Sequence, residues 1–177
     1  MYLKLAALFL FIFATGILPN FAQEKTFPVP TGNDKQLFYL QRTSNANTIV
    51  YELNYNNGTV DKENPVVAFW IRYQEQGQRE ELSFIQRKFA YGLKAKLLSP
   101  DLYELSFVSY KKYKLYLRMG ADQKFYVFTD INRRSAILTS IFLKINGGSL
   151  WSPNIEYVEI SGIEPDSRLV VKERLKI

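Results

Sequence analysis

The sequence predicts a mainly β domain, an antiparallel meander of about nine strands with a barrel-like closure, plus one α-helix near residues 79–91. Three observations predict it. Apolar and polar residues alternate with period two along most of the chain, the pattern of half-buried strands. The links between these runs are short and rich in Asn, Gly and Lys, which suits hairpins rather than long crossovers. Only one segment switches to helical period. A two-sheet sandwich is the alternative closure, since either arrangement hides strand edges. The lone helix, free to cover an open end, favours the barrel.

The N-terminus, MYLKLAALFLFIFATGILPNFAQEK, has the three-part layout of a secretory signal peptide. Lys4 supplies a positive start, Leu5 to Leu18 an apolar core, and Ala22 a small residue before the expected cleavage point. The apolar core falls short of the roughly 20 residues that span a bilayer. No Cys follows the cleavage point, so the export expected is not that of a lipoprotein. The reading divides the chain into a signal peptide (1–22), a Pro- and Gly-rich leader (23–35) and one β-rich domain (36–177).

Within that domain, Gln36–Arg42 and Thr48–Asn54 open the strand series, the latter placing Ile49, Tyr51 and Leu53 on one face. Asn57-Gly58 follows as a hairpin signal, because both residues tolerate positive φ. Val66–Tyr73 is apolar nearly throughout, as in a strand covered on both faces. Arg79–Tyr91 then places Leu82, Ile85 and Phe89 at helical spacing. Glu80 and Glu81 would fall in the first turn, Arg87 and Lys88 near the last, and Gly92 just beyond, an order that matches the helix dipole and a glycine cap. Alternation resumes over Leu102–Ser109, Tyr113–Met119, Lys124–Asp130, Ala136–Ile145, Ile155–Ser161 and Arg168–Leu175.

Composition narrows the chemistry. The chain has no His and no Cys. Serine or cysteine catalysis through a histidine, His- or Cys-ligated metals and disulfides are therefore excluded. The net charge of +6 is spread along the chain, too diffuse to indicate nucleic-acid binding. Ser109-Tyr110-Lys111-Lys112 matches S-x-x-K, but that signature needs a helix start and partner motifs that this chain lacks. Gly147-Gly148-Ser149 is too short to cradle a phosphate. The crowded turn Leu53–Asn64 fails the EF-hand spacing, because Leu53 and Tyr55 stand where ligands belong. Glu52, Glu104, Asp130 and Glu159 lie on strands and could converge inside a barrel, but the linear sequence does not pair them. No catalytic residue, metal site or cofactor is assigned.

The candidate ligand-binding residues are Trp151, on a loop between strands, and the basic-aromatic run Tyr110, Lys111, Lys112, Tyr113, joined by Arg133 and Arg134 in another turn. Tyrosine faces beside cations suit sugars and anionic groups. The competing reading of the lysines is a solvated hairpin tip that discourages edge pairing. Tyr39, Tyr51, Phe107 and Tyr126 are the aromatics expected to line a cavity.

Several stretches, FPVPTGN, LFYLQRTSNANTIVYELN, WIRY, EELSFIQRKFAYGLK, FVSYKKYKLYL and GGSLWSPNIEYVEISG, resemble an exported bacterial family catalogued as domain of unknown function 4833. The resemblance runs from about Phe27 to Arg174. It implies an exported single-domain protein and carries no activity, ligand or catalytic residue to transfer. The sequence thus leads to a non-enzymatic exported binding or interaction domain, periplasmic or extracellular, with an apolar or glycan ligand in a barrel-like cavity. Two alternatives stand beside it: an envelope-associated protein holding anionic polymer or lipid through a basic face, and a carboxylate-based hydrolase.

Overall fold

The computed structural model describes residues 27–43, 45–149 and 152–176. The expected signal peptide and Trp151 lie outside them. The described residues are mainly β, with one short helix among them and a sheet curled into a half-barrel of mixed strand orientation. The strands are β1 (Gln36–Arg42), β2 (Asn45–Leu53), β3 (Tyr55–Asn56), β4 (Thr59–Val60), β5 (Val66–Ile71) and β6 (Arg79–Glu81). After helix α1 (Phe84–Phe89) come β7 (Leu93–Ser99), β8 (Leu102–Phe107), β9 (Lys114–Met119), β10 (Phe125–Ile131), β11 (Arg134–Gly148), β12 (Pro153–Ile163) and β13 (Val170–Lys176).

The main sheet runs β6-β5-β2-β1-β11-β10-β9-β8-β7, and β12 and β13 extend it from β11. The 15-residue β11 organises this layout. Its first residues pair antiparallel with β10, Phe128 opposite Ile137, and its middle pairs parallel with β1, from Tyr39↔Ser140 to Arg42↔Leu143. β12 pairs antiparallel with β11 from Ile137↔Ile163 to Gly148↔Pro153. The register slips by one residue between Leu138 and Ser140, so Thr139 is the extra residue of a bulge. The bulge keeps Ala136, Leu138 and Ile141 all buried although their spacing breaks strict alternation. The β1–β11 pair is the one parallel pairing within the meander.

Most strand expectations coincide with observed strands, and Asn57 (φ 51°) and Gly58 (φ 81°) turn the β3–β4 hairpin as read. The helical segment differs in extent. Arg79–Glu81 is a strand paired with β5, not a first helical turn. Glu80 accepts two 2.7 Å hydrogen bonds from Arg72, and the Arg79 guanidinium lies 3.6 Å from the Phe69 ring centroid, which holds both residues to the sheet. The helix starts where Ser83 and Gln86 form a capping box. Arg87 and Lys88 occupy its last turn. Leu82 is buried, whereas Ile85 and Phe89 are 46% and 61% exposed, so the helical spacing reported an apolar face that the core does not use. Gly92 is not in the left-handed region; a Cβ there would lie 1.9 Å from the Arg87 carbonyl oxygen, so it is the absence of a side chain that matters. The sequence reading places no strand at Leu93–Ser99, which forms edge strand β7 with Lys94 and Lys96 among its residues, a common guard against edge pairing.

An aromatic cluster joins the two halves of the curled sheet. Phe38 of β1 stacks on Tyr51 of β2 at 4.3 Å, and Phe107 of β8 meets both edge-on at 6.4 and 5.9 Å. Tyr51 donates its hydroxyl to the Tyr91 carbonyl at 2.8 Å. Burial, with the neighbouring Tyr91 adding to it, raises the Tyr51 phenol well above its ordinary value. A raised folded-state pKa gives stability that is intact below the unfolded tyrosine value of about 10 and is lost as pH rises beyond it. Urea denaturation at several pH values from about 9 to 11 is therefore expected to show a shallower alkaline decline in Tyr51→Phe than in the unmodified protein. The difference is bounded by about 1.4 kcal/mol per pH unit, the linkage of one proton. Equal slopes would remove Tyr51 as a source of alkaline sensitivity.

Candidate functional site

The curled sheet leaves a cavity of about 750 Å³ at one end, within the size range of small-molecule sites. One wall comes from the outer arm of the sheet: Ile141, Leu143 and Ile145 of β11, Ile155, Val158 and Ile160 of β12, and Leu175 of β13. Beyond the Thr139 bulge, the alternate residues 141, 143 and 145 present one continuous aliphatic face. The facing side is formed by Phe89 at the end of α1, by Ala90 and Tyr91 just after it, and by Phe107, Ser109, Tyr110 and Tyr113 around the β8–β9 link. The Ser109 hydroxyl donates to the Ala90 carbonyl at 2.7 Å, and the Val108 amide to the Gly92 carbonyl at 3.0 Å, so these two segments are tied together. Leu40 and Arg42 of β1 complete the lining.

Arg42 follows Phe38 and Leu40 at period two and is the charged member of that inward row. Its Nη1 donates to the Tyr91 hydroxyl at 2.7 Å. Its guanidinium carbon lies 5.0 Å from the Trp70 ring centroid and 5.8 Å from that of Tyr91. Its Nε is buried without a hydrogen-bond partner. No carboxylate lines the cavity among the described residues.

The sequence-derived candidates separate. Tyr110 and Tyr113 line the cavity. Lys112 and Tyr113 border a second, shallower depression of about 490 Å³, together with Lys114, Arg118, Asp130 and Ser135. Lys111 is exposed and borders neither. Arg133, at φ 63°, stands in the β10–β11 turn, and Arg134 pairs with Glu164 at 2.9 Å. Trp151 lies outside the described residues; the β11–β12 connection brings Gly147, Gly148, Ser149 and Pro153 to the cavity rim. Of the four aromatics expected to line a cavity, Phe107 does. Tyr51 is packed within the core beneath Phe38. Tyr39 sits between Phe38 and Leu40 and so points to the other face of β1. Tyr126 donates its hydroxyl to Asp122 at 2.6 Å across the β9–β10 turn.

Burial pushes the Tyr113 phenol up, with Glu173 and Asp130 adding to the shift and a hydrogen bond with Thr129 opposing it. Tyr113 is thus a neutral wall residue at physiological pH. The carboxylates singled out on strands are engaged separately: Glu52 with Arg79 and Asn33, Glu104 with Lys114, and Glu159 with Arg174. Asp130 borders the shallow depression as its single acid.

Arg42 and the aliphatic wall escaped the sequence reading. A charged residue in phase with two buried apolar ones was the available signal. A strand end also ordinarily turns polar at the surface, so phase alone did not separate the two cases.

The family model described as a domain of unknown function (DUF4833) matches residues 38–174 of this chain. No curated protein and no solved structure shows a significant match.

Proposed function

The chain belongs to the DUF4833 family, and from that premise we propose that it is an exported, non-enzymatic binding protein holding an apolar ligand in the cavity between α1, the β8–β9 link and the β11–β12–β13 arm. The observation that carries the reading is the predominantly aliphatic and aromatic lining of a cavity of about 750 Å³. Transfer of an apolar molecule into such a space is favoured by about 25 cal/mol per Å² of apolar surface removed from water. A glycan fits less well, because a sugar ring brings many hydroxyls that need partners and the wall offers few. The exposed Phe89 and Tyr110 at the rim, 61% and 47% accessible, give an apolar ligand an entry that it can wet. The N-terminal pattern supports placing this activity outside the cytoplasm.

Nothing specific favours the basic-face alternative, since the candidate cations are dispersed and Arg134 is already paired. The hydrolase alternative calls for two acids in one cleft, and neither depression brings two together.

The test uses a neutral fluorophore, N-phenyl-1-naphthylamine, titrated against the purified chain. A saturable rise in emission at one probe per chain is expected. Leu143→Trp, which fills the cavity from a half-buried wall position, is expected to weaken that binding about tenfold or more while the unfolding transition stays cooperative. Absence of saturable binding, or binding untouched by Leu143→Trp, overturns the reading.

A further inference from the structure

Two arginines lie against the Trp70 ring, and they differ in their partners. Arg72 and Arg42 lie 5.1 and 5.0 Å from its centroid. Arg72 is neutralised by Glu80 through two 2.7 Å hydrogen bonds. Arg42 has no carboxylate partner among the described residues; a phenol hydroxyl and two ring faces are its company, and its Nε has no hydrogen-bond partner. A guanidinium at the wall of an apolar space loses water on one side and gains a counter-charge from nothing in the fold. Aromatic faces offset part of that cost. A carboxylate brought by a ligand would offset the rest, and the planar fork of Arg is suited to receive it. Tyr91 accepts from Nη1, which leaves its own hydroxyl hydrogen free to donate to the same oxygen.

We propose that the ligand is an amphiphile with one anionic head, a long-chain carboxylate, and that Arg42, assisted by Tyr91, holds the head group while the β11–β12–β13 arm takes the chain. The proposal rests on the apolar-cavity reading above and adds the head group to it. The two halves of the site have different chemistry. The aliphatic residues, Leu143, Ile155, Val158 and Leu175 among them, recognise a hydrocarbon without regard to its end. Among the described residues Arg42 is the single cation in the lining, and it discriminates by charge.

The experiment displaces N-phenyl-1-naphthylamine with three competitors below micelle-forming concentrations: dodecanoate, 1-dodecanol and acetate. Dodecanoate is expected to displace at about tenfold lower concentration than dodecanol, the discrimination of one charge-assisted hydrogen-bonded contact. Acetate is expected not to displace. In Arg42→Met the preference for dodecanoate over dodecanol is expected to fall below about threefold, whatever the new apolar side chain does to both affinities, and in Arg42→Lys part of it is expected to remain, because a point charge replaces a fork. Equal displacement by dodecanoate and dodecanol in the unmodified protein overturns the head-group assignment while leaving the apolar cavity standing. Displacement by acetate overturns it too, because the anion alone would then suffice. A dodecanoate preference that survives Arg42→Met moves the head group away from Arg42 and defeats the assignment. Failure of the fluorophore itself to bind defeats the underlying reading instead. Should Arg42→Met not fold, as judged by its unfolding transition, the comparison of head groups in the unmodified protein and in Arg42→Lys decides.

Discussion

Phe38→Ala is expected to destabilise the domain by about 3–5 kcal/mol, the range for an aromatic deleted from a filled core. Phe38 is fully buried and forms the middle of the cluster with Tyr51 and Phe107. Its removal costs the transfer free energy of a ring and leaves a void that two neighbouring rings, each fixed by other contacts, do not collapse into. Tyr51 is held by its hydroxyl to the Tyr91 carbonyl, and Phe107 lies on the last residue of β8. Because domain stabilities are about 5–15 kcal/mol, this one change consumes a large share of the margin. The melting temperature is expected to fall by roughly 10 °C or more. Phe38→Leu, which keeps most of the volume, is expected to cost less than half as much. Urea denaturation with an unchanged slope checks both. A loss below about 1 kcal/mol for Phe38→Ala would mean that the two halves of the sheet do not close over this ring.

Gly162→Ala is the second change with a large expected effect. Gly162 lies in β12 opposite Leu138. A Cβ there would stand 2.7 Å from the Ile137 carbonyl oxygen, 2.7 Å from Ile131 Cδ1 and 3.2 Å from Ala136 Cβ. The Ile131 methyl can swing aside, but the carbonyl belongs to the backbone of β11, which is paired along both edges. Relief therefore needs β12 to move off β11. Overpacking of this kind costs about 1–3 kcal/mol, and the immobile backbone oxygen places this site at the upper end. The smaller unfolded-state entropy of alanine returns about 0.4–1 kcal/mol, too little to reverse the sign. Gly32→Ala is the matched control, since its Cβ would meet only the flexible Gln36 side chain at 3.6 Å. It is expected to leave stability unchanged or slightly raised. Thermal unfolding of the two variants side by side separates steric exclusion from a general glycine effect; equal melting temperatures would show that Gly162 has room. Because Val158 and Ile160 of the same strand line the cavity, the Gly162 variant is also expected to weaken uptake of the neutral fluorophore.

Much of the β framework was legible because a strand reports its environment locally. Leu105, Phe107, Leu115 and Leu117 are buried as their alternation requires, whereas in β2 the intervening Thr48, Val50 and Glu52 are buried along with Ile49, Tyr51 and Leu53, because that strand is covered on both faces. Asn57-Gly58 marked its hairpin because turn chemistry depends on two residues alone. The helix boundary was misjudged because Glu80 and Glu81 looked like first-turn acids, while the decisive signal was the Ser83–Gln86 capping box. Ile85 and Phe89 kept helical spacing without burial, since periodicity tells that a face is apolar and not what covers it. Edge strand β7 was missed although Leu93, Ala95 and Leu97 alternate with Lys94 and Lys96, the same period-two signal as in the other strands.

The candidate site was far less legible. Tyr110 and Tyr113 were singled out for being beside lysines, yet both line the apolar cavity, and the cations Lys111, Arg133 and Arg134 are not among its lining residues. The cavity depends on β1 pairing in parallel with β11 across some hundred intervening residues, and on a bulge at Thr139 that realigns β11. Neither leaves a local mark.

By itself, then, the sequence determined the class of fold, most strand positions and the absence of histidine and cysteine chemistry. Each of these follows from residue identity and short-range period. Tertiary structure alone decided which faces are left uncovered, that an aliphatic space opens between α1 and the β11–β12–β13 arm, and that Arg42 sits in its wall with no carboxylate among the described residues beside it. Those properties arise from pairings between distant segments, and the energy of a charge or a greasy surface depends on what the fold places beside it.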